Sequence, residues 1–122
     1  MAGGLRILIV EDDASVRRSV GRLLRASGYE CVEYDTAEAL LGAEDPGAWD
    51  CLVTDMHLPG LTGLDLIETI RRSGVSMPAV LVTAYNEQKT RDSALRHHRV
   101  AFLAKPFEGA ALLHAICKVT LT

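Results

Sequence analysis

No stretch of this sequence stays apolar for the roughly 18 residues that a membrane-spanning helix requires. The amino-terminal MAGGLR has no apolar core of the kind a secretion signal carries. Positive charge is not in excess either. Thirteen Lys and Arg against sixteen Asp and Glu give a formal net charge of −3, which argues against nucleic acid as a direct partner. Cysteine is sparse: Cys31, Cys51 and Cys117 are far apart, odd in number and without metal-ligand spacing. They read as small buried hydrophobes in a reducing compartment. The expectation is a cytoplasmic protein without membrane contact. What remains is ordinary, with 48% hydrophobic and 24% charged residues among 122. That describes one globular domain over 1–122, long enough to bury about two-thirds of its unfolded surface.

Short apolar runs bounded by turn residues recur along the chain: ILIV at 7–10, CVEY at 31–34, CLVT at 51–54, AVLV at 79–82 and VAFLA at 100–104. They predict five strands, most of them buried on both faces. Helical patterns lie between them. Val16, Val20, Leu23 and Leu24 recur at helical spacing, with Arg17, Arg18, Arg22 and Arg25 opposite and Gly28 as a stop signal. Leu64, Leu66, Ile67 and Ile70 form a second stripe, and Ala111, Leu112, Ala115, Ile116 and Val119 another after the last strand. The segment NEQKTRDSALRHHR at 86–99 has few apolar anchors and carries Lys89, Arg91, Arg96 and Arg99. It is expected to form the least stable helix and a basic surface. Five strands alternating with five helices imply an α/β fold, a doubly wound parallel sheet with helices on both faces.

In such sheets ligands sit outside the carboxyl ends of the strands. Glu11 and Asp12 leave the first strand there, Asp55 the third, Thr83 the fourth, and Lys105 followed by Pro106 the fifth. If the first and third strands are neighbours, three carboxylates, one hydroxyl and one ammonium face a shared crevice. Clustered carboxylates repel unless a cation joins them, and a few oxygen ligands suit Mg²⁺, which often shares its shell with a phosphate. The lysine supplies positive charge for that phosphate. Taken singly, each residue has a plainer explanation. Asp12 and Asp13 could cap the first helix, and Asp13 is expected to do so. Asp55 could be a turn acid, Thr83 a β-branched strand residue and Lys105 a solvated lysine. His97, His98 and His114 offer no ligand spacing on one face. GLTGLDLI at 60–67 is a helix entry and not a phosphate loop, because it lacks the P-loop lysine.

VEDD at 10–13, TDMHLPGLTG at 54–63, LVTA at 81–84 and FLAKPF at 102–107 resemble, in order and spacing, the receiver domain of bacterial two-component response regulators. The resemblance covers nearly the whole chain and makes 1–122 a single receiver domain. It implies a flavodoxin-like three-layer sandwich whose five-stranded parallel sheet has the order 2-1-3-4-5. It further implies that Asp55 accepts a phosphoryl group from a sensor histidine kinase. Mg²⁺ would be ligated by Asp12 and Asp55, by Glu11 through water, and by the backbone carbonyl of His57. Lys105 would pair with the phosphate, and the Thr83 hydroxyl and Ala84 N–H would hydrogen-bond it. Phe102 stands where the family keeps an aromatic whose rotamer reports phosphorylation, and it is expected to be core as well. A cis peptide is expected at 105–106.

On the same resemblance, catalysis acts on the domain itself rather than on a separate substrate. The partners implied are the kinase, an output domain or downstream protein, and a second copy in a phosphorylation-dependent homodimer. ASGYECVEYDTAEALL at 26–41 is similar to receivers that precede helix-turn-helix domains, which suggests a transcriptional output and a chain cut from a longer regulator. One departure concerns the family's Gly-Ala after the helix of 86–99, replaced by His98 and Arg99. A left-handed helix end would then fall on a histidine, at a cost of about 1 kcal/mol. A second class of function is a phosphorylation-independent binding module with the receiver fold. An aspartate-nucleophile phosphatase would need a second Asp two residues after Asp55, where His57 stands.

Overall fold

The computed structural model describes residues 4–83 and 98–121. Along the chain run β1 (Arg6–Val10), α1 (Ala14–Ala26), β2 (Glu30–Tyr34), α2 (Ala37–Ala43), a 3₁₀ turn (Pro46–Ala48), β3 (Cys51–Asp55), α3 (Gly63–Arg72), β4 (Ala79–Thr83), β5 (Val100–Ala104) and α4 (Gly109–Thr120). The helix expected over 86–99 lies almost entirely outside the described residues. All neighbouring strands are parallel and the order is β2-β1-β3-β4-β5. That is the doubly wound parallel sheet expected from the alternation of elements, in the flavodoxin-like order that the resemblance implies. Among the described residues no helix is long and apolar enough to cross a membrane.

Every apolar run became a strand, and four of the five gained one polar residue. Arg6 and Glu30 were added at amino ends, Asp55 and Thr83 at carboxyl ends. Alternation then sorts the core into two layers. Ile7, Ile9, Val53, Val80 and Val82 face one cluster with Val20 and Leu24 of α1 and Leu112, Ala115 and Ile116 of α4. Leu8, Val10, Leu52 and Leu81 face the other, with Ala37 and Leu40 of α2 and Leu66, Ile67 and Ile70 of α3. The central strands β3 and β4 are buried throughout, whereas the flanking β2 and β5 are mostly half-buried.

Helix starts follow capping chemistry. Asp13 caps α1, its carboxylate accepting from the Val16 N–H at 3.0 Å, and that contact holds its carboxyl below the ordinary value. Thr62 caps α3 in a reciprocal capping box with Asp65, confirming 60–67 as a helix entry; each such cap contributes about 1 kcal/mol.

Three details differ from expectation. Cys117 is exposed rather than buried, because it falls on the outer face of α4, as does Ala111. The left-handed residue before β5 is Arg99, with φ +59°, not His98. Its carbonyl accepts from the Ala79 N–H at 3.0 Å and its guanidinium reaches the Val119 carbonyl at 3.4 Å, contacts that offset the roughly 1 kcal/mol such a backbone costs.

Candidate functional site

Strand register builds the site. Val10 pairs with Thr54, Asp55 with Val82, and Thr83 with Ala104, so the carboxyl ends of β1, β3, β4 and β5 end nearly level. Two further backbone bonds carry the ladder past the strands, Met56 N–H to the Val82 carbonyl and Lys105 N–H to the Thr83 carbonyl, both 2.6 Å. The Lys105–Pro106 peptide is cis, as expected. The Lys105 side chain reaches over the sheet rim and places Nζ 2.5 Å from Glu11 Oε1 and 2.9 Å from Asp55 Oδ2.

The two acids are held alike. Glu11 and Asp55 are about 5% and 6% exposed, and each gives one oxygen to Lys105 and the other to a backbone donor. Glu11 Oε2 accepts from the Asp13 N–H at 3.1 Å, and Asp55 Oδ1 from the His57 N–H at 3.0 Å. Burial pushes the Glu11 carboxyl up to about 7, against the pull of Lys105 and the Asp13 N–H and with help from the neighbouring Asp55. Burial alone would lower the Lys105 ammonium, but its two carboxylates outweigh that and raise it. A solvated lysine is therefore not what this residue is.

Asp12 is exposed and completes the cluster: one carboxylate oxygen from each of Glu11, Asp12 and Asp55 lies within 4.8 Å of the others. Among the described residues, three carboxylates face a single ammonium, so with all of these groups ionised two negative charges remain. An all-oxygen donor set with that surplus fits a small divalent cation such as Mg²⁺.

Thr83 is fully buried at the end of β4. Register and alternation place Thr83 on the same sheet face as Leu81 and Phe102. Phe102 is half-buried rather than part of the buried core. His57 lies exposed in the loop after β3, and His98 and His114 are exposed and away from the cluster. Ala84 and His97 lie outside the described residues. Two contributors were not singled out in the sequence, although Gly63 closes the motif at 54–63. Arg17, one of four arginines on the outer side of α1, donates through Nη1 to the Glu11 carbonyl at 2.8 Å. A Cβ at Gly63 would sit 2.2 Å from the Asp55 carbonyl oxygen, so α3 can begin against the end of β3 only with glycine there.

A family model of the response regulator receiver domain matches residues 7–117. The chain belongs to the response regulator receiver domain family. This receiver domain is 36% identical over 114 residues to nodulation protein W of Bradyrhizobium diazoefficiens, covering 93% of the chain and 50% of that protein. It is 32% identical over 116 residues to the transcriptional regulatory protein FixJ of Azorhizobium caulinodans, covering 95% and 55%. The receiver domain thus spans about half the length of these curated relatives. Its fold is similar to that of the non-phosphorylated HemR receiver domain from Leptospira biflexa, with a TM-score of 0.88 and 27% identity over 97% of this chain and 95% of that one.

Proposed function

We propose that this receiver domain, taken as one unit over 1–122, accepts a phosphoryl group on Asp55 from the phosphohistidine of a sensor histidine kinase in a Mg²⁺-dependent reaction. The observation that carries the reading is the buried Asp55 carboxylate 2.9 Å from Lys105 Nζ, within a three-carboxylate cluster. In the transfer, an Asp55 oxygen forms a bond to phosphorus while the phosphorus–nitrogen bond of the donor breaks. The freed imidazole keeps the electron pair and takes up a proton. The His57 N–H and Lys105 fix the carboxylate so that little reorganisation is needed at the moment of attack. Glu11, Asp12, Asp55 and the His57 carbonyl are the groups that would hold Mg²⁺, whose chemistry when bound is neutralisation of the negative charge on the transferred group. Lys105 can pass from its carboxylate partners to a phosphoryl oxygen without leaving the site.

The aspartyl phosphate is then read through Thr83 and Phe102, which share a face of the sheet. Ala84 would add its N–H to the phosphate. A hydrogen bond from the Thr83 hydroxyl to the phosphoryl group, about 1.5–3 kcal/mol for a charged acceptor, would shift a two-state equilibrium about 10- to 100-fold. The shift would change affinity for an output domain, a downstream protein or a second copy; the FixJ relative, named as a transcriptional regulator, supports a transcriptional output. The reaction modifies the domain itself, and a cytoplasmic setting follows from the kinase partner. Incubation with Mg²⁺ and a small acyl phosphate, followed by peptide mass mapping, should place one phosphoryl group on Asp55. Asp55→Asn should accept none while keeping its circular dichroism. Labelling of that variant at the wild-type rate would move the acceptor elsewhere, and wild-type affinity for an output partner regardless of phosphate would favour the phosphorylation-independent binding module.

A further inference from the structure

The loop from Met56 to Thr62 carries the His57 groups assigned above to the acceptor site. Its ends are fixed by the Met56 N–H on the Val82 carbonyl, 2.6 Å, and the Gly63 N–H on the Met56 carbonyl, 3.0 Å. Its outer turn is held from a different element. Glu38, in the first turn of α2, extends its carboxylate over the loop, and Oε2 accepts from the Leu61 N–H at 3.1 Å. Gly60, with φ +79°, makes room: a Cβ there would lie 2.3 Å from that same oxygen. The carboxylate therefore seats against the bare α-carbon of Gly60 while bonding the next amide. Glu38 is itself exposed and belongs to neither core cluster.

We propose that Glu38 is a positioning residue for the acceptor site: its bond to the Leu61 N–H holds the Met56–Thr62 loop in the conformation that sets the His57 backbone at Asp55. The inference rests on the proposed Mg²⁺-dependent acceptor. Within the loop, three residues separate Leu61 from His57, one loop end is tied to β4 through the Met56 N–H, and the other closes back on the Met56 carbonyl. Fixing the turn between them restricts the remaining backbone freedom, and with it the direction of the His57 carbonyl and of its N–H to Asp55 Oδ1. Outer contacts of this kind tune affinity without touching the ligand.

The test is a Mg²⁺ titration of the metal-free domain followed by amide NMR, with hydrogen exchange at Leu61 measured in the same samples. Glu38→Ala should raise the Mg²⁺ Kd roughly tenfold, the low end for an outer-shell partner, and speed exchange at Leu61. Glu38→Gln keeps an oxygen acceptor of the same reach but loses the charge, and it should restore both readouts to within about twofold of wild type. A Glu38→Ala domain that binds Mg²⁺ as wild type would overturn the proposal. So would a Gln variant as weak as Ala, because the effect would then belong to the charge of Glu38 near the cluster or at the start of α2, not to the bond. Failure of the wild-type domain itself to bind Mg²⁺ would instead overturn the metal site and this role of Glu38 with it.

Discussion

The two rims of the sheet use the same ingredients to different ends. At the amino rim, Arg6 meets acids at Glu30, 3.1 Å from its Nε, and at Asp50, whose carboxylate accepts from the Arg6 backbone N–H at 2.8 Å. Its guanidinium also donates to the Ala48 carbonyl at 2.6 Å and lies 4.3 Å over the Trp49 ring. At the carboxyl rim, Lys105 meets Glu11 and Asp55. The difference lies in burial and balance. The Arg6 and Glu30 side chains are 39% and 62% exposed, whereas the side chains of the acids facing Lys105 are only 6% and 7% exposed. Around Arg6 the cation is satisfied by a carbonyl, a ring and an exposed acid, which suits a structural clasp. Around Lys105, among the described residues, buried acids outnumber ammonium groups and Asp12 adds another acid. Uncompensated buried charge costs stability, so a site that keeps it has a use for a further cation.

Removing each cation should sharpen that contrast most. Lys105→Ala leaves Glu11 and Asp55 facing each other, and in metal-free buffer at pH 8 it should destabilise the domain by about 3 kcal/mol in urea titration. The loss should shrink towards pH 5, where Glu11 can take up a proton. An effect below about 1 kcal/mol at pH 8 would mean that the cluster is already neutralised another way.

Glu11 gives the next effect. Its carboxyl stands near 7 in the folded chain against an ordinary 4.5, so between those values the native state holds the extra proton. Stability from this group is complete below about pH 4.5 and is lost as pH rises towards 7, on the order of 3 kcal/mol at the upper bound. Urea titrations in chelator should show this fall, and Glu11→Gln should flatten it; a wild-type profile rising over that window would contradict the burial argument.

At the amino rim, Arg6→Ala should cost about 1–2 kcal/mol, because the exposed ion pair contributes little and the contact over the buried Trp49 ring adds about 1 kcal/mol. A loss as large as that of Lys105→Ala would erase the distinction between the rims. Smallest of all, Asp12→Ala should stabilise the metal-free domain by less than about 1 kcal/mol through relief of repulsion, while weakening Mg²⁺ binding. Thermal unfolding with and without Mg²⁺ separates the two effects.

Much of this was legible before any coordinates. Saturated apolar runs located the strands because the sheet is covered on both faces, and the rule that ligands gather at carboxyl strand ends drew Glu11, Asp55 and Lys105 together. Strand boundaries were less readable: Arg6, Glu30, Asp55 and Thr83 join the ladder through backbone groups that no side-chain pattern reports. α2 and the turn at Pro46–Ala48 are too short for periodicity to single out. The left-handed residue moved from His98 to Arg99 because tertiary bonds to Ala79 and Val119 choose it. Arg17 and Glu38 were invisible for a related reason. Both act by reaching a backbone group of another segment, six and twenty-three residues away, and a charged residue on an outer helix face gives no sign of such a reach.

That the carboxyl rim, and not the amino rim, carries uncompensated charge among the described residues and so receives a divalent cation can be tested by amide NMR shifts during Mg²⁺ titration of the wild-type domain. This difference between the rims predicts one saturable set of shifts centred on Glu11 to Asp13, Asp55 to His57 and Lys105, with Arg6, Glu30 and Asp50 unmoved. Non-saturating shifts, or shifts of equal size around Arg6 and Asp50, would contradict it.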